Sequence, residues 1–193
     1  MAERDWEERE GDEFGGELPS HPFELDLNRL FGNANPEDMA RGAEDESRAP
    51  RKLFEKEVHI VGVYEQRAHD GTVAYFVMVR DNRDRNLRIY IGQHEAYSIS
   101  MAMEGRPVSR PLTHDLLKIV VERLGWHVDR IIIDDEYNGI YYAKLGLVSP
   151  SNGQAQEVDC RPSDALAIAV RSASPIYVAE AVLEAEGRTE QEL

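Results

Sequence analysis

Val158-Asp159-Cys160-Arg161-Pro162-Ser163-Asp164-Ala165-Leu166-Ala167-Ile168-Ala169-Val170-Arg171 is the stretch on which the fold of this chain turns. Val158 ends an extended segment, and Pro162, with its fixed φ and missing N–H, suits the first position of a helix. Ser163 and Asp164 then bring side-chain oxygens to the unpaired N–H groups of the first turn. Ala165 to Val170 is apolar on nearly every side, the mark of a helix sunk into a core. A buried helix with that start holds Asp159, Arg161, Ser163 and Asp164 at the edge of the core, where polar groups must be paired or used.

Outward from this corner, Gln154 to Asp159 predicts a strand, preceded by a turn at Ser149 to Gly153. Val128 to Ile133 and Ile140 to Val148 predict a hairpin closed at Asn138-Gly139, with the acidic run Asp134-Asp135-Glu136 at its end. Further back, Glu57 to Val63, Val73 to Val79 and Leu87 to Ile91 alternate as a three-stranded meander. Two helices follow. Ala96, Ile99 and Met103 mark the first, which stops at Gly105. Thr113 is the expected N-cap of the second, from His114 to Leu124, with Asp115 in its first turn and Leu116, Leu117, Val120 and Leu124 as its core face. After the opening stretch, Ile176 to Val178 predicts a short strand and Ala179 to Glu186 a closing helix. The sum is α+β: a largely antiparallel sheet of hairpins and meander with three to four helices.

Residues 1 to 52 read differently. Clustered Glu and Asp, Gly15-Gly16 and four prolines predict a disordered acidic tail, with Phe23, Leu25, Leu27, Leu30 and Phe31 as an apolar island suited to docking on a protein partner or back on the domain. The domain is expected over 53–187, and 188–193 as a short C-terminal tail. Net charge is −15, and residues 1–56 hold 16 acids against 8 bases, more than half of that excess. Acidity on this scale argues against whole-surface attraction to nucleic acid and leaves only a local basic groove. Arg80, Arg83, Arg85 and Arg88 are interleaved with Asp81 and Asp84, which favours a solvated turn of mixed charge. The lone Cys160 excludes an internal disulfide and suits a reducing compartment, and no segment has the length or composition of a membrane helix or signal peptide, so a cytoplasmic protein without a membrane partner is expected.

Motifs for dinucleotides, P-loops, zinc peptidases and EF-hands are absent. The candidates that remain are polar residues at element starts. Asp159 and Asp164 flank the strand-to-helix turn, and two carboxylates there would suit Mg²⁺ or Mn²⁺; the competing assignment has Asp164 capping the helix and Asp159 paired with Arg161. Arg161 is equally suited to fork a phosphate. His114 and Asp115 are a candidate proton-transfer pair, although neighbouring helical residues point about 100° apart, which favours a capped first turn. Cys160 before a helix has either a lowered pKa or a buried, inert role.

Ile89-Tyr90-Ile91-Gly92 with Glu95-Ala96, Ala102-Met103-Glu104-Gly105, Arg110-Pro111-Leu112-Thr113-His114-Asp115-Leu116-Leu117, Tyr142-Ala143-Lys144-Leu145 and Arg161-Pro162-Ser163-Asp164-Ala165, in this order, resemble the bifunctional nuclease (BFN) domain family over roughly residues 57 to 186. The resemblance implies an α+β fold and DNase and RNase activity; joined to the reading of the two carboxylates, it gives an expected hydrolysis of DNA or RNA assisted by a divalent metal at Asp159 and Asp164. His114, Asp115, Asp164 and Glu95 would be the catalytic positions, and Arg110 and Arg161 would bind the phosphate. The alternative is a non-catalytic module that assembles as a homo-oligomer, the Arg-Pro blocks forming a structural polar network.

Overall fold

The computed structural model describes residues 54–189. The expected acidic tail, its Phe23 to Phe31 island and nearly all of the expected C-terminal tail lie outside the described residues. Those residues form β1 (Glu55–Arg67), β2 (Val73–Asp81), β3 (Asn86–Ile91), α1 (Gln93–Met103), α2 (Thr113–Arg123), β4 (His127–Tyr137), β5 (Ile140–Val148), β6 (Ala155–Cys160), α3 (Pro162–Ser172), β7 (Ile176–Ala179) and α4 (Glu180–Glu186). The fold is α+β, as the alternation predicts.

All seven strands form one sheet in the order β3-β2-β1-β7-β4-β5-β6. The meander and the β4–β5–β6 hairpins are antiparallel, but β7 pairs antiparallel with β1 and parallel with β4. Four residues, Ile176 to Ala179, therefore join the two halves. Their composition explains the position: Ile176, Val178 and Ala179 are buried, as a strand flanked on both sides requires. Asn138 and Gly139 both take positive φ (53° and 80°), the paired left-handed geometry of a tight hairpin turn.

The predicted buried helix is α3. Ala165, Leu166, Ala167, Ile168 and Ala169 are all at most 2% exposed and pack with Ile131, Ile133, Ala143 and Val178 of the sheet. Alternating alanines let the helix backbone approach the strands closely while Leu166 and Ile168 fill the space between. α1 and α2 both contact α3, which brings the starts of three helices to one region.

Two expectations fail here. The apolar residues of α2 do not face the core: Leu116, Leu117, Val120 and Leu124 are 42–72% exposed, and no residue of this helix is buried. Its inward side carries His114, Asp115, Lys118 and Val121 instead, so periodicity found the stripe correctly and burial assigned it to the wrong side. Second, the turn after β2 is not simply solvated. The Asp81 side chain is fully buried, accepting N–H bonds from Arg83 and Arg85 at 2.9 Å and pairing with the Arg85 guanidinium at 2.7 Å, which also reaches Glu180 at 2.9 Å. The Asp81 carboxyl is pulled up by burial, yet these donors outweigh it and hold it below the ordinary range. Asp81→Ala leaves Arg85 with Glu180 as its remaining carboxylate and strands two N–H donors, so a loss of about 2–4 kcal/mol is expected, read as a Tm lower by roughly 10 °C.

Candidate active site

Each helix start is built by its local sequence. Leu112 has extended φ and ψ (−74°, 173°) as the N-cap of α2, one residue earlier than Thr113. Its N–H donates to Asp115 Oδ2 at 2.8 Å, which closes the first turn. At α3, Arg161 is the extended N-cap and Pro162 the first helical residue. Neither Ser163 nor Asp164 caps this helix. Asp164 has charged partners to serve instead, and a charge-assisted bond is the stronger one.

Those partners link both corners. His114 Nε2 lies 3.2 Å from Asp164 Oδ1, fifty residues away in sequence. Arg161 donates from Nε to Asp164 Oδ2 at 2.8 Å, and from one Nη to Asp164 Oδ1 at 2.9 Å and to Glu95 Oε1 at 3.0 Å. On the far side, His114 Nδ1 is 2.9 Å from Ser98 Oγ, which accepts from Arg171 at 2.9 Å. Arg171 continues to Asp115 Oδ1 at 2.5 Å and to the carbonyls of Ser98 and Ala167. One polar chain thus runs Asp115, Arg171, Ser98, His114, Asp164, Arg161, Glu95 across α1, α2 and α3. The Ser98 hydroxyl therefore bridges Arg171 and His114 Nδ1, while His114 Nε2 faces the Asp164 carboxylate.

Exposure grades along this chain. The Arg171 side chain is 6% exposed and His114 12%, whereas Arg161 is 67% exposed, so solvent reaches the chain mainly at Arg161. Burial raises Asp164's carboxyl, but hydrogen bonds from Arg161 and His114 prevail and hold it below the usual range. Asp115 behaves alike: burial opposes, while Arg171 and the Leu112 N–H lower it. Arg161 is bound more firmly to its proton by the Asp164 bond, desolvation opposing.

Arg110 and Asp159 fall outside this polar chain. Arg110 is exposed in the loop before α2 and makes no hydrogen bond or ion pair with a described residue. Asp115 belongs to the structural end of the chain. Asp159 lies on β6 opposite Lys144, whose Nζ binds Asp134 at 3.0 Å, and no bond joins Asp159 to Asp164 or Arg161. Cys160 packs against the core with its thiol pushed up to about 12 by burial, then by Asp159 and Asp164, which removes it as a nucleophile.

A divalent ion on Asp159 and Asp164 does not fit this donor set. Both Asp164 oxygens are occupied by Arg161, Oδ1 also by His114, and among the described residues no three His, Cys, Asp or Glu side chains are grouped to hold a metal. Arg161 occupies the place between Asp164 and Glu95 that a cation would take.

Sequence reasoning missed Ser98 and Arg171. Both had a signal: Ser98 is three residues after Glu95 and Arg171 seven after Asp164, spacings that share a helix face. An arginine ending an otherwise apolar buried helix also demands a partner.

The described residues thus form a mixed α+β domain with an arginine–carboxylate–histidine cluster at converging helix starts. The sequence places it within a family: the bifunctional nuclease domain matches residues 76–191, and the chain belongs to that family. It is 39% identical over 132 residues to an uncharacterized protein of Mycobacterium tuberculosis, covering 68% of this chain and 76% of that one. Bifunctional nuclease 1 of Arabidopsis thaliana is 28% identical over 106 residues (54% of this chain, 33% of that protein), and Bifunctional nuclease 1 of Oryza sativa subsp. japonica matches at 28% over 106 residues (54% and 32%). The shared part is thus about a third of each plant protein.

Proposed function

We propose that this cluster is the hydrolytic centre of a phosphodiesterase acting on DNA or RNA. The observation that carries the proposal is the convergence of His114 on Asp164 beside the exposed guanidinium of Arg161, at the edge of an open cleft. A phosphate arriving there competes with Glu95 and Asp164 for Arg161, the fork suited to two phosphate oxygens. Asp164, kept ionised and still held by His114, takes a proton from the attacking water, which Glu95 helps to orient. The water oxygen bonds to phosphorus, the bond to the leaving sugar oxygen breaks, and the proton returns through the Asp164–His114 pair to that oxygen. Arg161 stabilises the charge that develops on the phosphoryl oxygens.

The resemblance to plant proteins named bifunctional nucleases supports this chemistry. The test is turnover of end-labelled single- and double-stranded DNA and RNA, in excess chelator and with Mg²⁺ or Mn²⁺. Arg161-dependent cleavage in chelator is the expected result. Cleavage only with metal would return a cation to the site and require Arg161 to leave Asp164.

A second reading rests on α2, whose outward face is apolar from Leu116 to Leu124. A second copy of the chain covering that stripe would make the polar chain behind it the brace of a homo-oligomer interface. Light scattering on the purified chain decides: Leu116→Asp with Val120→Asp is expected to halve the mass of an assembled wild type, and a monomeric wild type removes this reading.

A further inference from the structure

Arg161 lines one cleft, and a second cleft adjoins that one. The nearer, about 440 Å³, is lined by Tyr90, Gly92, Ile140, Tyr141, Arg161 and Pro162 among others, and the farther, about 420 Å³, shares Tyr90, Gly139 and Tyr141 with it. Each is in the size range of small-molecule sites, roughly 300–1,000 Å³. They lie between the outer edge of β3 and the β4–β5 turn. From Leu87 to Ile91 that edge pairs with no described strand, so its backbone N–H and C=O groups face the cleft unused. Tyr90 is 58% exposed and Ile140 60% exposed, large apolar surfaces that the fold leaves bare beside a cation. In the farther cleft the Arg88 guanidinium sits 5.5 Å over the Phe76 ring, and its Nε is the one buried side-chain N or O atom without a hydrogen bond among the described residues.

We propose that these joined clefts bind the nucleoside next to the phosphate held by Arg161, the base stacking on Tyr90 and walled by Ile140 and Tyr141. The proposal rests on the phosphate assignment of Arg161 and specifies its substrate as an unstacked nucleotide, since only a base splayed out of a strand can enter. Glu136 and Glu186, which also line the farther cleft, suit the amino groups of a base edge. Glu136 Oε1 accepts from Gly139 N–H at 2.5 Å, which leaves Glu186 and the second oxygen of Glu136 as the acceptors. Arg188 is turned to the carbonyls of Ala185 and Gly187 and takes no part.

The test uses fluorescence anisotropy of the full chain with a labelled single-stranded phosphorothioate DNA octamer and an abasic octamer of equal charge. The base-containing octamer is expected to bind the wild type about tenfold more tightly than the abasic one. Tyr90→Ala should erase that preference and Tyr90→Phe retain it. A preference unchanged by Tyr90→Ala, or no binding of either octamer to the wild type, overturns the subsite. Arg161→Met is expected to weaken both octamers together; if it weakens neither while the Tyr90 dependence holds, the phosphate assignment fails and the base subsite alone stands.

Discussion

Asp164→Asn is expected to lower turnover of labelled DNA or RNA by about 10³-fold while leaving the Tm within a few degrees of wild type. The substitution keeps shape and removes the charge that Arg161 and His114 hold ionised at 28% exposure. An amide cannot take the proton of the attacking water, and its NH₂ faces donors instead of accepting from them. The fold should tolerate it, because Asp164 is not the cap of α3 and Ala165 N–H already bonds the Arg161 carbonyl at 3.0 Å. The pH profile carries the same prediction. Because the Asp164 pKa is lowered, the active carboxylate persists below the ordinary value near 4, and activity is lost only as pH falls through the lowered folded value. An acidic limb above pH 5 would assign it to another group.

Arg171→Ala should cost about 3–5 kcal/mol of stability, the largest loss expected from a substitution within the site. Its guanidinium holds Asp115, two carbonyls and the Ser98 hydroxyl from a position 6% exposed, so removal leaves a partly buried carboxylate and several acceptors unpaired. Arg171→Lys keeps the charge but not the fork and should recover only part. The sign with pH is fixed by Asp115: its lowered pKa contributes stability above the unfolded value near 4 and loses it below, so the deficit of Arg171→Ala should shrink between pH 7 and pH 3 in urea titrations. A deficit that does not change with pH would place the loss in packing instead. Since Ser98 is held by Arg171 and in turn meets His114 Nδ1, turnover should fall with the Lys variant more than its stability does.

The buried helix α3 was legible because an all-round apolar run behind Arg-Pro has few other solutions, and the hairpins because Asn138-Gly139 and the alternation around it demand a tight turn. The place of β7 was not legible. Ile-Tyr-Val-Ala reads as any short strand, and only the pairing of two sheet halves, a long-range event, makes it central. The α2 face was misassigned because an apolar stripe specifies burial against something without saying what; here His114, Asp115 and Lys118 face the domain and the leucines face out. The site was half legible. Arg161, Asp164, His114 and Glu95 were named from their helix starts, but His114 meets Asp164 only through the packing of α2 on α3. Asp159 was named as a metal ligand from chain proximity to Asp164; the strand register, which the sequence does not show, sets it opposite Lys144 on the neighbouring strand.

The central claim is that His114 and Asp164 act as one unit on a phosphodiester at Arg161. A double-mutant cycle on turnover of a labelled oligonucleotide tests it most directly, with wild type, His114→Asn, Asp164→Asn and the double variant matched for Tm. The account predicts that each single substitution costs nearly as much as both together, as for groups that act in concert. Costs that multiply independently, or a wild type without turnover, would contradict it.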